Sequence, residues 1–328
     1  MLASLHTIIT ALILCASPLA AGAAEQKKTS ETDSKSAEAA ELVERADAVL
    51  EAVGKTPGRE FSNVFRSGYR NHWLEHFRKG KALSDSEHAR RAKDLRGFID
   101  KAEEGMNWPL PPDIDVPRAS SPLEMDGKLD EKDWQRAATF TGVCPFNEKK
   151  RLEEPATTWK MLWDRKYMYF GFECADTDII SPVKERDEDV YADDCVEMFI
   201  MPNKRFRVYW ELVIGPSGSL FDAVHYKHMD QCGSESDVGQ DMEGLDFGIT
   251  IRGSLNKPEP DKGYTVEVAV PFSELPGFSR ARPEAGVTLY LMLARLDRQG
   301  EKFQPYAFSP LLFWGHNIWN HGKVRLTD

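Results

Sequence analysis

The feature that most constrains this fold is a change of hydrophobic period on either side of the stretch 108–118, WPLPPDIDVPR. Before it, apolar residues recur with the 3.6-residue spacing of a helix face; from residue 119 they alternate with the period of 2 that a strand requires. The stretch itself holds four prolines, which favour a stiff extended linker. The chain is therefore expected to divide there, into a helical region 38–107 and a domain of short strands, 119–328.

The alternating runs are Trp159–Trp163, Tyr167–Ala175, Cys195–Met201, Phe206–Ile214, Ser219–His225, Phe247–Arg252, Tyr264–Val270, Val287–Leu296 and Lys323–Leu326. Clusters of Gly, Pro, Asn and Asp separate them, and no long helical pattern intervenes. Such a chain is mainly β, a two-sheet antiparallel sandwich of jelly-roll type preceded by a short α-helical region. The segment 227–246, rich in Asp, Glu, Gly and Ser, is expected to overhang one end as a loop.

Upstream, Leu42, Val43, Ala46, Val49, Leu50 and Val53 share one helix face, and Gly54 with Pro57 ends it. Phe65, Tyr69, Trp73 and Phe77 form an aromatic stripe that packs among helices. A third helix opens on the capping box Ser84-Asp85-Ser86-Glu87 and carries Ala92, Leu95, Ile99 and Ala102. His72 and His76 sit among Arg and Lys and read as surface residues. Residues 25–37 are a polar leader of low complexity. Ahead of it, the apolar run from Leu5 to Ala21 meets the small residues Ala21-Gly22-Ala23-Ala24, the pattern of a signal peptide (1–24) cleaved on export. Secreted or periplasmic residence is the expectation.

The net charge of −11 argues against a nucleic-acid partner, whose phosphates need clustered Lys and Arg. Residues 25–107 hold sixteen acids and sixteen bases, so the deficit lies in the strand domain. No segment after the leader approaches the roughly 20 apolar residues of a membrane span. Beyond the signal peptide, Cys144, Cys174, Cys195 and Cys232 contain no C-x-x-C pair, which excludes a zinc knuckle or thioredoxin motif. Cys174 and Cys195 lie in apolar alternating runs, where cysteine acts as a small buried hydrophobe; the disulfide pairing is left open.

Several motifs have a direct physical reading. Asp126-Gly127 is a turn, and Trp134 plugs one end of the core. Asp164-Arg165-Lys166 joins two strands as a hairpin. In Cys195–Ile200, Val196, Met198 and Ile200 share one face and leave Glu197 on the other with Cys195 and Phe199. An acid in so apolar a run needs a partner or a ligand, which makes Glu197 the stronger binding candidate. Glu267, alternating with Val266, Val268 and Val270, reads as belonging to a solvated face.

Six stretches, in order, resemble the family 9 carbohydrate-binding modules. They are Met125–Trp134 (MDGKLDEKDW), Trp163–Tyr169 (WDRKYMY), Asp193–Ile200 (DDCVEMFI), Tyr209-Trp210-Glu211-Leu212 through Pro216-Ser217-Gly218, Gly263–Phe272 (GYTVEVAVPF), and a closing segment with Ser309-Pro310, His316 and Gly322–Leu326. The resemblance covers residues 119–328 and implies a non-catalytic β-sandwich that holds an oligo- or polysaccharide. In characterised members two tryptophans sandwich a terminal sugar, while carboxylate and arginine side chains take its hydroxyls. Here Tyr191 falls where the first tryptophan sits, Trp314 matches the second with Trp319 as the alternative, and Glu197 matches a ligand-contacting acid. Glu211 stands where those modules carry arginine, and Arg295 is similar to an arginine of some relatives that would face Glu197 or Glu211. The family also implies calcium, for which Asp176, Asp178, Asp187, Glu188 and Asp189 are oxygen ligands near strand ends, and a separate glycan-degrading enzyme as partner.

Three rival functions stand beside this one. Glycoside hydrolysis would use Glu197 and Glu211 as a carboxylate pair. A related haem-binding sandwich would draw axial ligands from His225, His228 and Met229. A scaffolding module would use the helices to dock another secreted protein.

Overall fold

The computed structural model of the chain describes residues 37–38, 40–49, 51–52, 84–203, 208–227, 234–278, 283–312, 315–316 and 320–328. The signal segment, the leader up to residue 36, the stripe Phe65–Phe77 with His72 and His76, and Cys232 fall outside them. So do His228, Met229, Trp314 and Trp319.

Residues 40–49 are helical, as is Asp85–Met106, whose first turn is capped by the Ser84 hydroxyl accepting from the Glu87 N–H at 3.3 Å. The faces drawn from the apolar spacing are the buried ones: Leu42, Ala46 and Val49 on the first helix, Ala92, Leu95 and Ile99 on the second. Arg45 bridges the two, reaching Asp100 and Glu103 at 3.1 Å each.

The strands are β1 (Asp113–Pro117), β2 (Ala138–Thr141), β3 (Cys144–Pro145), β4 (Thr157–Trp163), β5 (Tyr167–Cys174), β6 (Cys195–Met201) and β7 (Val208–Ile214). They continue as β8 (Leu220–Lys227), β9 (Ser234–Asp237), β10 (Asp246–Ile251), β11 (Tyr264–Pro271), β12 (Thr288–Gln299), β13 (Lys302–Ala307) and β14 (Gly322–Thr327). One sheet runs β1-β14-β12-β6-β7-β8-β9, with β13 and β3 branching from β12; the other runs β10-β11-β5-β4-β2. Each alternating run identified above overlaps a strand of this two-sheet sandwich over its described residues; residues 206–207 lie outside them.

Two segments depart from expectation. Residues 113–117 belong to the sandwich and not to a linker: β1 pairs in parallel with β14, Ile114 opposite Val324 and Val116 opposite Leu326. Its last residue is proline, tolerated because β1 is an edge strand with one free side. Within the expected loop 227–246, Ser234–Asp237 forms the other edge, β9, on β8.

The core between the sheets follows the alternation. Val196, Met198 and Ile200 of β6 meet Met168, Phe170 and Phe172 of β5 and Val266, Val268 and Val270 of β11. Trp159, Trp163 and Trp210 are also in this core. Cys144, Cys174 and Cys195 are buried free thiols.

The outer face of the five-stranded sheet is covered, which overturns the reading of Glu267 as solvated. Residues 119–137 lie across it and bury Trp134 against Leu162, Tyr169 and Ala269, a cluster separate from the inter-sheet core. Glu267 is 0% exposed. Its carboxylate accepts the N–H groups of Gly127 at 2.7 Å, Asp126 and Leu129 at 3.1 Å and Lys128 at 3.2 Å, and the Trp134 indole N–H at 2.8 Å. Gly171, beside Glu267 on β5, admits this cover: a Cβ there would come within 2.5 Å of the Leu129 side chain.

Candidate functional site

The outer face of the larger sheet carries polar groups in a hollow. Register fixes which side chains share it: Glu197 lies opposite Val213 and Ala294, Glu211 opposite Phe199 and Ala223, and Tyr209 opposite His225. A cavity of about 540 Å³ opens above them, walled by Tyr191, Phe221, Leu296, Arg298, Phe303 and His316.

Its floor is a hydrogen-bonded network. Glu197 and Glu211 are 7% and 5% exposed, and their side chains are hydrogen-bonded to each other. Glu211 Oε2 is 2.6 Å from His225 Nε2, and Ser236 Oγ is 2.9 Å from His225 Nδ1. His225 stacks flat on Tyr209, centroids 4.9 Å apart, and the Tyr209 hydroxyl is 3.0 Å from His316 Nδ1. Burial, with Glu211 alongside, pushes the Glu197 carboxyl well above the usual range, so it keeps its proton and donates it towards Glu211. Burial works against ionising Glu211 too, but its contacts with His225 and His316 outweigh it and hold that carboxyl low. Two adjacent acids thus carry one proton between them.

The rim is aromatic. Tyr191, 40% exposed, packs edge-on to Phe221 with centroids 5.6 Å apart, and its hydroxyl donates to Asp189 Oδ1 at 2.5 Å. Phe303, 38% exposed, lies under the Arg298 guanidinium at 5.7 Å. Arg298 is steadied by its Nε donating to the Ala192 carbonyl at 2.6 Å.

Of the residues singled out from sequence, the structure brings Tyr191, Glu197 and Glu211 together. Arg295 is elsewhere. On β12 it alternates onto the face opposite Ala294 and Leu296 and is fully buried, donating to Asp176 Oδ2 and Thr157 Oγ1 at 3.0 Å each. The groove's arginine is Arg298, three residues on and so of opposite parity. Phe303 was also overlooked, although a phenylalanine within the polar run Glu301-Lys302-Phe303-Gln304 was its signal. Asp176 is ion-paired with Arg295 at 3.0 Å and accepts the Asp178 N–H at 2.9 Å. His225, a haem-ligand candidate, has both ring nitrogens in hydrogen bonds.

A pH dependence follows from the buried acids. Asp194, beneath the groove, is pushed up to about 8 by burial and by Asp176, the same direction as Glu197. The fold holds protons that the unfolded chain releases above the ordinary carboxyl value of about 4. That contribution is complete below that value and is lost as pH rises towards 8. The melting temperature is therefore expected to fall by a few degrees, about 1 kcal/mol or more, between pH 5 and pH 8. A flat or rising profile across that interval would contradict these assignments.

Comparison with known proteins agrees with this architecture. No curated protein matches the chain. Among solved structures, one from Bacteroides uniformis ATCC 8492, provisionally described as carbohydrate-binding, is similar with a TM-score of 0.51 at 11% identity, over 66% of this chain and 99% of that one. A family 9 carbohydrate-binding module from Caldicellulosiruptor kristjanssonii in complex with cellotriose is similar at 15% identity and a TM-score of 0.44, over 66% of this chain and 93% of that one. The same organism's module in complex with glucose gives 14% and 0.44, over 65% and 95%. At 11% identity the likeness to the Bacteroides uniformis structure shows a shared fold alone. The family described as carbohydrate family 9 binding domain-like matches residues 125–304, more than half of the chain. The span includes five of the six motifs and most of the groove: this chain belongs to the carbohydrate family 9 binding domain-like family.

Proposed function

We propose that the exported protein captures a carbohydrate in the groove between Tyr191 and Phe303 and does not cleave it. The observation that carries this is the pairing of two exposed rings with a buried, hydrogen-bonding floor. Flat rings match the apolar faces of a pyranose, and fixed polar side chains match its hydroxyls. A cavity of about 540 Å³ lies within the range of roughly 300–1,000 Å³ usual for small-ligand sites. Trp314 and Trp319, outside the described residues, follow the groove-lining segment in sequence and are candidates for a further stacking ring.

Glu197 and Glu211 favour binding over hydrolysis. A retaining glycosidase separates its carboxyls by about 5–5.5 Å and an inverting one by about 6.5–9.5 Å. Glu197 and Glu211 are instead buried side by side in the floor, where each sets the other's ionisation, unlike a pair held apart across a bond. Glycan capture beside a separate degrading enzyme is the role that suits such a module, and the apolar N-terminal run supports export. Applied to a glycan array, the purified protein is expected to select one class of glycan and to release no reducing ends from it. Absence of any glycan signal, or release of reducing sugar, would overturn the proposal.

A further inference from the structure

We propose that Glu211, His225 and His316 together form a three-ligand site for a divalent transition ion, zinc in the first instance, open towards the groove. The proposal rests on these three side chains and is independent of the carbohydrate reading.

The ligand atoms converge. One atom from each residue lies within 4.8 Å of the others. His225 Nε2 is 2.6 Å from Glu211 Oε2, and His316 Nε2 is 3.9 Å from Glu211 Oε1. Ligands about 2.0–2.1 Å from a tetrahedral ion are separated by about 3.3–3.4 Å, midway between those two values. Small side-chain shifts, closing one gap and opening the other, complete the geometry. The rings of His225 and His316 are 4.8 Å apart at 60°, so both can turn an edge to one point.

The outer partners are those a metal site needs. A ligating imidazole is oriented by a hydrogen bond at its other nitrogen. Here His225 Nδ1 meets Ser236 Oγ at 2.9 Å and His316 Nδ1 meets the Tyr209 hydroxyl at 3.0 Å, so in both rings Nε2 is the nitrogen directed at Glu211. Glu211 and His225 stand on neighbouring strands of one sheet, a rigid support, while His316 comes from the chain between β13 and β14 and is 41% exposed in its side chain.

The donor set selects the ion. Two imidazoles and one carboxylate suit zinc and its first-row neighbours, whereas calcium and magnesium prefer oxygen. Three protein ligands leave a fourth position, and here it faces the cavity, where it would meet water or an oxygen of whatever the groove holds.

The test is a calorimetric titration of zinc chloride into full-length protein stripped with chelator, without sugar, together with visible absorption on adding cobalt(II). The chain carries 8 histidines, so the variants and not the wild-type stoichiometry decide the assignment. His316→Ala and Glu211→Gln are each expected to weaken zinc binding at least tenfold and to remove the tetrahedral cobalt bands. His316 is partly exposed, and its alanine variant is expected to keep the wild-type melting temperature, which separates loss of a ligand from loss of the fold. No zinc binding, zinc affinity unchanged in His316→Ala, or calcium bound as tightly as zinc would each overturn the proposal.

Discussion

Chemical denaturation of a Glu267→Ala variant is expected to show a loss of about 3–5 kcal/mol relative to wild type, among the largest effects of any single substitution in the domain. Five N–H groups converge on this one buried carboxylate, four from the backbone of Asp126–Leu129 and one from the Trp134 indole. Alanine leaves these donors without an acceptor under a closed cover, at about 1–3 kcal/mol for each that water cannot reach. The cover also carries Trp134, 1% exposed, so its loosening uncovers apolar surface. Glu267→Gln, which keeps one acceptor oxygen and the shape, is expected to lose less than alanine. A loss below about 1 kcal/mol in the alanine variant would mean that the Asp126–Leu129 turn is held by something else.

Arg295→Met is expected to cost about 3–5 kcal/mol of stability, not ligand affinity as a groove residue would. The guanidinium is fully buried between the sheets, 3.0 Å from Asp176 and 3.5 Å from Asp297, two acids that are themselves buried. Removing one member of such a cluster strands uncompensated charge in the interior, which is more damaging than replacing the whole cluster by apolar groups. Arg295→Met with wild-type stability would show that the carboxylates are protonated or reached by water. The companion substitution Arg298→Ala removes a partly exposed groove residue and is expected to leave stability within about 1 kcal/mol.

The contrast between these arginines shows what sequence could and could not convey. Strand alternation identified both faces of β6, and with them the placement of Glu197 on the outer side among Cys195 and Phe199. The same logic failed on β12 because its alternating run was read to Leu296, whereas the strand continues to Gln299 and carries Arg298 into the groove. Glu267 failed for a different reason. Alternation tells which face a side chain takes, but not whether another segment covers that face, and here residues 119–137 do. The edge strand β1 was hidden by Pro117 and the three prolines just before the strand, since a linker and a proline-tolerant edge look alike until the partner β14 is in place. The histidines show the same limit. His225 and His316 are 91 residues apart in the sequence, and only the fold sets both against Glu211.

The central claim is that a carbohydrate is held in the groove above Glu197 and Glu211. Its most direct test is calorimetric titration of the array-selected sugar into wild type, Tyr191→Ala, Phe303→Ala and Glu197→Gln. Each ring variant is expected to bind about 1–3 kcal/mol more weakly, the scale of stacking a ring on a flat ligand, with the melting temperature unchanged because both rings are exposed. Glu197→Gln is expected to weaken binding as well, since it alters the acid that donates into the floor. Wild-type affinity in all three variants would place the sugar elsewhere on the protein and contradict the account.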